Sequence, residues 1–102
     1  MTPKAISQII EIEINGDWLL SNHHNCNLKE CLVRPRKRPF IMMGGVVTEL
    51  RVVLYENPLT LEGYKVVFND ETRQFGLAQP KDETHDYFLC YYNGFLTAFK
   101  AM

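Results

Sequence analysis

Tyr64-Lys65-Val66-Val67-Phe68-Asn69-Asp70-Glu71-Thr72-Arg73-Gln74-Phe75-Gly76-Leu77 is the stretch that decides the fold. Tyr64, Val66 and Phe68 recur with the period of two that lines one face of a strand. Asn69-Asp70-Glu71-Thr72 supplies turn residues, and Phe75 and Leu77 resume the alternation. The pattern predicts an antiparallel hairpin with a loop of about four residues. Its buried face is expected to carry Val66, Phe68, Phe75 and Leu77.

Upstream, Val46, Leu50, Val52 and Leu54 alternate with Glu49 and Arg51, and Asn57-Pro58 stops that segment. Downstream, a polar connector from Gln79 to Asp86 precedes Tyr87-Phe88-Leu89-Cys90-Tyr91-Tyr92. This continuous apolar run suits a central strand covered on both faces, with Cys90 as a small core residue. Asn93-Gly94 fits a tight hairpin turn into a strand Phe95–Lys100. It equally fits a helix capped by Asn93, with Phe95, Leu96, Phe99 and Met102 on one face. The helix accounts for more residues. The expected architecture is α+β: a mainly antiparallel, meander-like β-sheet of about four to six strands with a short C-terminal helix.

The N-terminal segment Ile6–Ile14 fits two periods. As a strand, Ile10, Ile12 and Ile14 share one face and Glu11 and Glu13 the other. As a helix, Thr2 is the N-cap, Pro3 the first helical residue, and Ile6, Ile9, Ile10 and Ile14 the apolar stripe. Ile12 breaks that stripe, so a strand over residues 8–14 is expected, with room for a helical turn before it. Asn15-Gly16-Asp17 reads as a turn. Residues 18–45 look irregular, with Trp18, Leu19 and Leu20 expected to be buried. Within them, Arg34-Pro35-Arg36-Lys37-Arg38-Pro39 is expected to be extended or looped, since proline lacks a donor and disfavours helix before it. Gly44-Gly45 marks a flexible joint.

A chain of 102 residues has the size of one domain, residues 1–102. Its hydrophobic share of 46% and charged share of 23% are ordinary globular values and argue against wholesale disorder. A core of this size is thin, and a deep substrate cleft would consume much of it, which favours activity at the surface. The net charge of −1 leaves nucleic acid or an anionic membrane to be recognised only by a local patch. Glu11 and Glu13 interrupt the one candidate for an apolar export signal. No stretch approaches the roughly 20 apolar residues of a membrane helix, so no membrane association is expected. Three cysteines without an export signal imply reduced thiols and a cytoplasmic location.

Two clusters carry potential chemistry. His23, His24 and Cys26, followed by Cys31, have thiol and imidazole groups that suit zinc, with His85 or Cys90 as a distant fourth ligand. The second tight ligand pair of common zinc modules is missing, so two buried thiols beside a solvated histidine pair is the simpler reading, and no cofactor is expected. A thiolate activated by His24 is the related catalytic reading, although nothing adjacent supplies an oxyanion hole. Arg34, Arg36, Lys37 and Arg38 place four of the eleven basic residues within five positions. Arginine forks grip phosphate or carboxylate bidentately, and Trp18 and Phe40 lie near enough in sequence to offer stacking surfaces. The plain alternative is a solvated loop that keeps the domain soluble.

The carboxylates Glu11, Glu13, Asp70, Glu71, Asp82, Glu83 and Asp86 read as solvent-facing, and His85-Asp86 has no nucleophile beside it. No glycine-rich phosphate loop, HExxH or calcium loop is present. Six aromatics lie between Tyr87 and Phe99, more than a small core readily absorbs, and an exposed remainder suits protein contact. The expected function is a non-enzymatic binding or interaction module, regulatory or inhibitory, acting through a protein partner with Arg34, Arg36, Lys37 and Arg38 in contact. One alternative is a nucleic-acid-binding accessory protein that uses the same run. A small thiol- or zinc-dependent enzyme using His23, His24, Cys26 and Cys31 is the other.

Overall fold

The alternation from Tyr64 to Leu77 forms strands β3 (Glu62–Asn69) and β4 (Gln74–Pro80) in a computed structural model that describes residues 1–22, 24–80 and 85–102. Their register places Phe68 opposite Phe75 and Val66 opposite Leu77, all four buried as expected. The Phe68 and Phe75 ring centroids lie 4.8 Å apart, within the distance at which aromatic pairs attract. The opposite face is buried as well, through Val67 and Ala78. A flat sheet in so small a protein would leave one face wet. Here the sheet curls, so that one face lines an interior and the other carries helices.

The remaining strands are β1 (Leu32–Ile41), β2 (Val47–Asn57) and β5 (Asp86–Tyr92). Neighbours pair antiparallel in the order β1-β2-β3-β4-β5, and a parallel bridge between Ile41 and Tyr87 closes the ring. Phe40, Leu50, Val52, Tyr55, Val67 and Ala78 fill the inside. On the outer face, Val66, Phe68, Phe75 and Leu77 pack against helices α1 (Pro3–Ile14), α2 (Leu28–Cys31) and α3 (Phe95–Ala101). No helix among the described residues is long and apolar enough to cross a membrane.

Several expectations are corrected by this arrangement. Residues 8–14 are helical, not a strand. The Thr2 hydroxyl accepts from the Ala5 N–H at 3.1 Å, Pro3 occupies the first turn, and Asn15 ends the helix in the left-handed region at φ 50°. Ile6, Ile10 and Ile14 are buried, whereas Ile12 is 77% exposed, so one stranded isoleucine is tolerated to keep the capped stripe. Leu19 is 78% exposed and Trp18 is also exposed, so of the three residues expected inside only Leu20 packs against the core. Leu54 leaves the face of Leu50 and Val52. A register shift between Val52 and Leu54 turns Val53 and Leu54 to the helices, and Val46 lies exposed beyond the strand.

β5 is not central. It pairs along β4 but bridges to β1 only at Ile41, and none of its residues is fully buried. Cys90, expected in the core, is exposed for that reason. Gly76 allows β5 to approach β4 closely: a Cβ there would lie 2.6 Å from the Cys90 carbonyl oxygen. The C-terminal segment is the helix α3, but Asn93 does not cap it. The Glu13 carboxylate, reaching over from α1, accepts from the Phe95 N–H at 2.9 Å and the Leu96 N–H at 3.2 Å. The cap is therefore tertiary, and it ties the two helices together.

Candidate functional site

β1 carries the basic run, so Arg34–Pro39 is a strand and not a loop. Arg36 to Ile41 pairs in unbroken register with Val52 to Val47. The buried Pro35 sits in the irregularity between Leu32 and Arg36, where the ladder is already interrupted. Met42 N–H donates to the Val46 carbonyl at 2.7 Å, so the even-numbered residues of this antiparallel pair turn their backbone groups toward β2. Pro39 then turns its donorless nitrogen to the other edge. Among the described residues, that edge holds no strand partner except at Ile41. Proline is compatible with a strand in this position because no ladder bond is lost.

Alternation divides the cations between two faces. Arg36 and Arg38 share the parity of the buried Phe40, while Lys37 lies on the opposite face across from Arg51. All four basic side chains are exposed, and none forms an ion pair or a side-chain hydrogen bond among the described residues. Arg51 differs: its Nε lies 3.1 Å from both carboxylate oxygens of Asp70, which also faces the N-terminal ammonium at 3.9 Å. Asp70, read as solvent-facing, is thus an anchor for β2.

Beside Arg38 opens a cleft of about 900 Å³, lined also by Tyr55, Leu61, Glu62, Lys65 and Asp86. Lys65 is only 7% exposed because it shares the inward parity of Val67. Its Nζ lies 3.0 Å from Asp86 Oδ1 and 5.7 Å from the centre of the Tyr55 ring. A buried ammonium needs such partners, since desolvation of an unpaired charge is unfavourable by several kcal/mol (about that order). Asp86, read as solvent-facing, therefore serves Lys65, and His85 lines the same cleft. The sequence reading passed over Lys65 and Tyr55. The available signal was a lysine on the same strand face as Val67.

The histidine and cysteine cluster is assembled differently. His23 lies outside the described residues. Asn22 organises the loop: its side-chain oxygen accepts from the His24 and Cys26 N–H groups, and its amide nitrogen donates to the Phe99 carbonyl at 2.9 Å. Cys26 and Cys31 are buried, with sulfurs 3.8 Å from the Tyr55 carbonyl oxygen and 3.7 Å from that of Glu56. Burial pushes the Cys26 thiol well above its ordinary range, and the neighbouring Cys31 adds to the rise. A buried neutral thiol donating to the backbone is a poor nucleophile. His24 instead stays at the surface, with Nδ1 3.6 Å from Glu56 Oε2 and its ring edge-on to Tyr64. The described residues contain no group of three potential ligands placed to hold a metal ion.

No protein-family model, curated protein or solved structure gives a significant match to this chain.

Proposed function

We propose that this chain is a non-enzymatic interaction module that binds an acidic surface of a protein partner through Arg34, Arg36, Lys37 and Arg38. The observation that carries this reading is four exposed cations on one strand, none neutralised by a carboxylate among the described residues. Proline at the outward-facing position 39 weakens that edge as a template for strand addition, which leaves the side chains as the recognition elements. Arginine forks at a strand edge are pre-organised for carboxylates, so little further ordering is needed on binding. Three free thiols, one of them exposed, suit a reducing compartment, and the module is read as cytoplasmic.

The test is capture from the native host after nuclease treatment, with wild-type protein and a variant in which all four residues are Gln. A stoichiometric protein partner retained by the wild type and lost by the variant is expected. Retention of nucleic acid at physiological salt, lost in the same variant, would replace this reading with a nucleic-acid one. Four phosphate contacts give a salt slope of about −3 to −4, so duplex binding is expected to fade by physiological ionic strength.

A further inference from the structure

We infer that the cleft beside β1 is the pocket for an acidic side chain of the protein partner, a glutamate or aspartate carboxylate held by Arg38 with its apolar neighbour lodged against Leu61. This rests on the interaction reading above and specifies what that interface grips. Arg38 shares the register parity of Phe40 and lines the cleft, whereas Lys37 lies on the opposite face. The floor is polar without being anionic: Lys65 Nζ, 3.0 Å from Asp86 Oδ1, cancels the charge that would repel an incoming carboxylate. An ammonium has three donors, and Asp86 takes one of those on Lys65.

The second wall is the β2–β3 turn. Leu61, 47% exposed, lines the cleft there. An exposed leucine in the same lining as a guanidinium without a carboxylate partner among the described residues matches a segment that alternates acidic and apolar residues. Glu62, on the same wall, is the one carboxylate of the described lining that is not ion-paired, and it opposes the ligand. A phosphate would also satisfy Arg38. A nucleic-acid backbone, however, presents a continuous line of charge, whereas Arg38 alone of the four cations is in the described lining of the cleft. The arrangement therefore favours a single inserted carboxylate.

The experiment is fluorescence anisotropy at about 0.15 M salt, with full-length protein and a labelled peptide of alternating glutamate and leucine. Arg38→Gln should raise Kd about tenfold and Lys37→Gln less than about threefold, since only the first removes a cleft contact. Glu62→Gln should tighten binding, Leu61→Ser should weaken it, and a glutamine-leucine peptide should not bind. Equal effects of Arg38→Gln and Lys37→Gln, binding of the glutamine peptide, or no binding of the glutamate peptide would overturn the cleft assignment. Thermal melts of each variant guard against misfolding, and Glu62→Gln, a predicted gain, cannot arise from damage to the fold. If the cleft assignment fails while the fourfold Gln variant still loses its native partner, the interaction reading survives alone. If that variant keeps its partner, the interaction reading falls as well.

Discussion

At the scale of single residues, the most informative positions are those where a group is buried with chemistry it cannot leave unanswered. Lys65 and Asp86 form such a pair, at 9% and 21% side-chain exposure. Asp86→Asn leaves an ammonium near the floor of the cleft without its counter-charge, and a loss of about 1–3 kcal/mol in urea unfolding is expected. Lys65→Met removes the charge and fills the same space, and it should be nearly neutral. The reverse order would show that the pair is not what holds the start of β5. Cys26 provides a pH-dependent counterpart. Its thiol is raised in the fold by burial, so above the unfolded value, near 9.0, the unfolded chain ionises while the folded one stays protonated. Stability from this group is therefore complete below pH 9 and lost as pH climbs beyond it. Denaturation at pH 8 and pH 10 should show the wild type losing more than Cys26→Ala, by up to about 1.4 kcal/mol per pH unit. Equal losses would place the thiol in water. The sequence made the Cys26 burial legible, because cysteine is a small apolar residue. The Lys65 pairing was not legible, since Asp86 lies 21 residues away and meets it across β4, which pairs with both strands.

At the scale of elements, capping explains both the misread helix and the stability of the last one. Over residues 8–14 side-chain period does not discriminate, since Ile10, Ile12 and Ile14 satisfy a strand as well as Ile6, Ile10 and Ile14 satisfy a helix. What decided the matter was backbone accounting at the ends: Thr2 and Pro3 satisfy the first turn, and Asn15 takes the left-handed conformation at the last. Both end signals lie in the sequence, at Thr2-Pro3 and at Asn15-Gly16. For α3 the local candidate Asn93 lost to Glu13, a residue 82 positions away from Phe95, which no local pattern reveals. Glu13→Ala should fray α3 and destabilise the protein by about 1–2 kcal/mol, whereas Glu13→Gln, which keeps one acceptor, should lose less. Hydrogen exchange at Phe95 and Leu96 reads the effect directly. Unchanged protection in Glu13→Ala would mean that packing of Phe95 and Phe99 alone holds the helix.

At the scale of the whole molecule, curling of the sheet is what the sequence stated least clearly. The hairpin from Tyr64 to Leu77 was legible from its period of two, and the strand around Leu50 from the same period up to the register shift after Val52. Closure was not, since it depends on register shifts in β1, β2 and β5 and on the space left by Gly76. Closure also separates two tasks. Buried aromatics hold the shell together, and Phe68→Ala should lower stability by about 3–5 kcal/mol, since Phe68 packs beneath the helices at 1% exposure. The four basic side chains of β1 are exposed and take no part in that core. These cations stand within a few positions of one another, without carboxylate partners among the described residues, so in the isolated protein they repel each other. Replacing Arg34, Arg36, Lys37 and Arg38 together by Gln keeps much of the side-chain length that covers neighbouring apolar atoms and removes only the charge. The variant should be as stable as the wild type at about 0.15 M salt and slightly more stable at low ionic strength, where screening no longer hides the repulsion. At about 1 M salt the two should coincide, because the screening length then falls to roughly 3 Å. Urea titrations at the three ionic strengths decide it. A salt-independent loss above about 2 kcal/mol would assign the run to the fold, whereas a gain at low salt would mark four charges kept against stability, as an interaction surface requires.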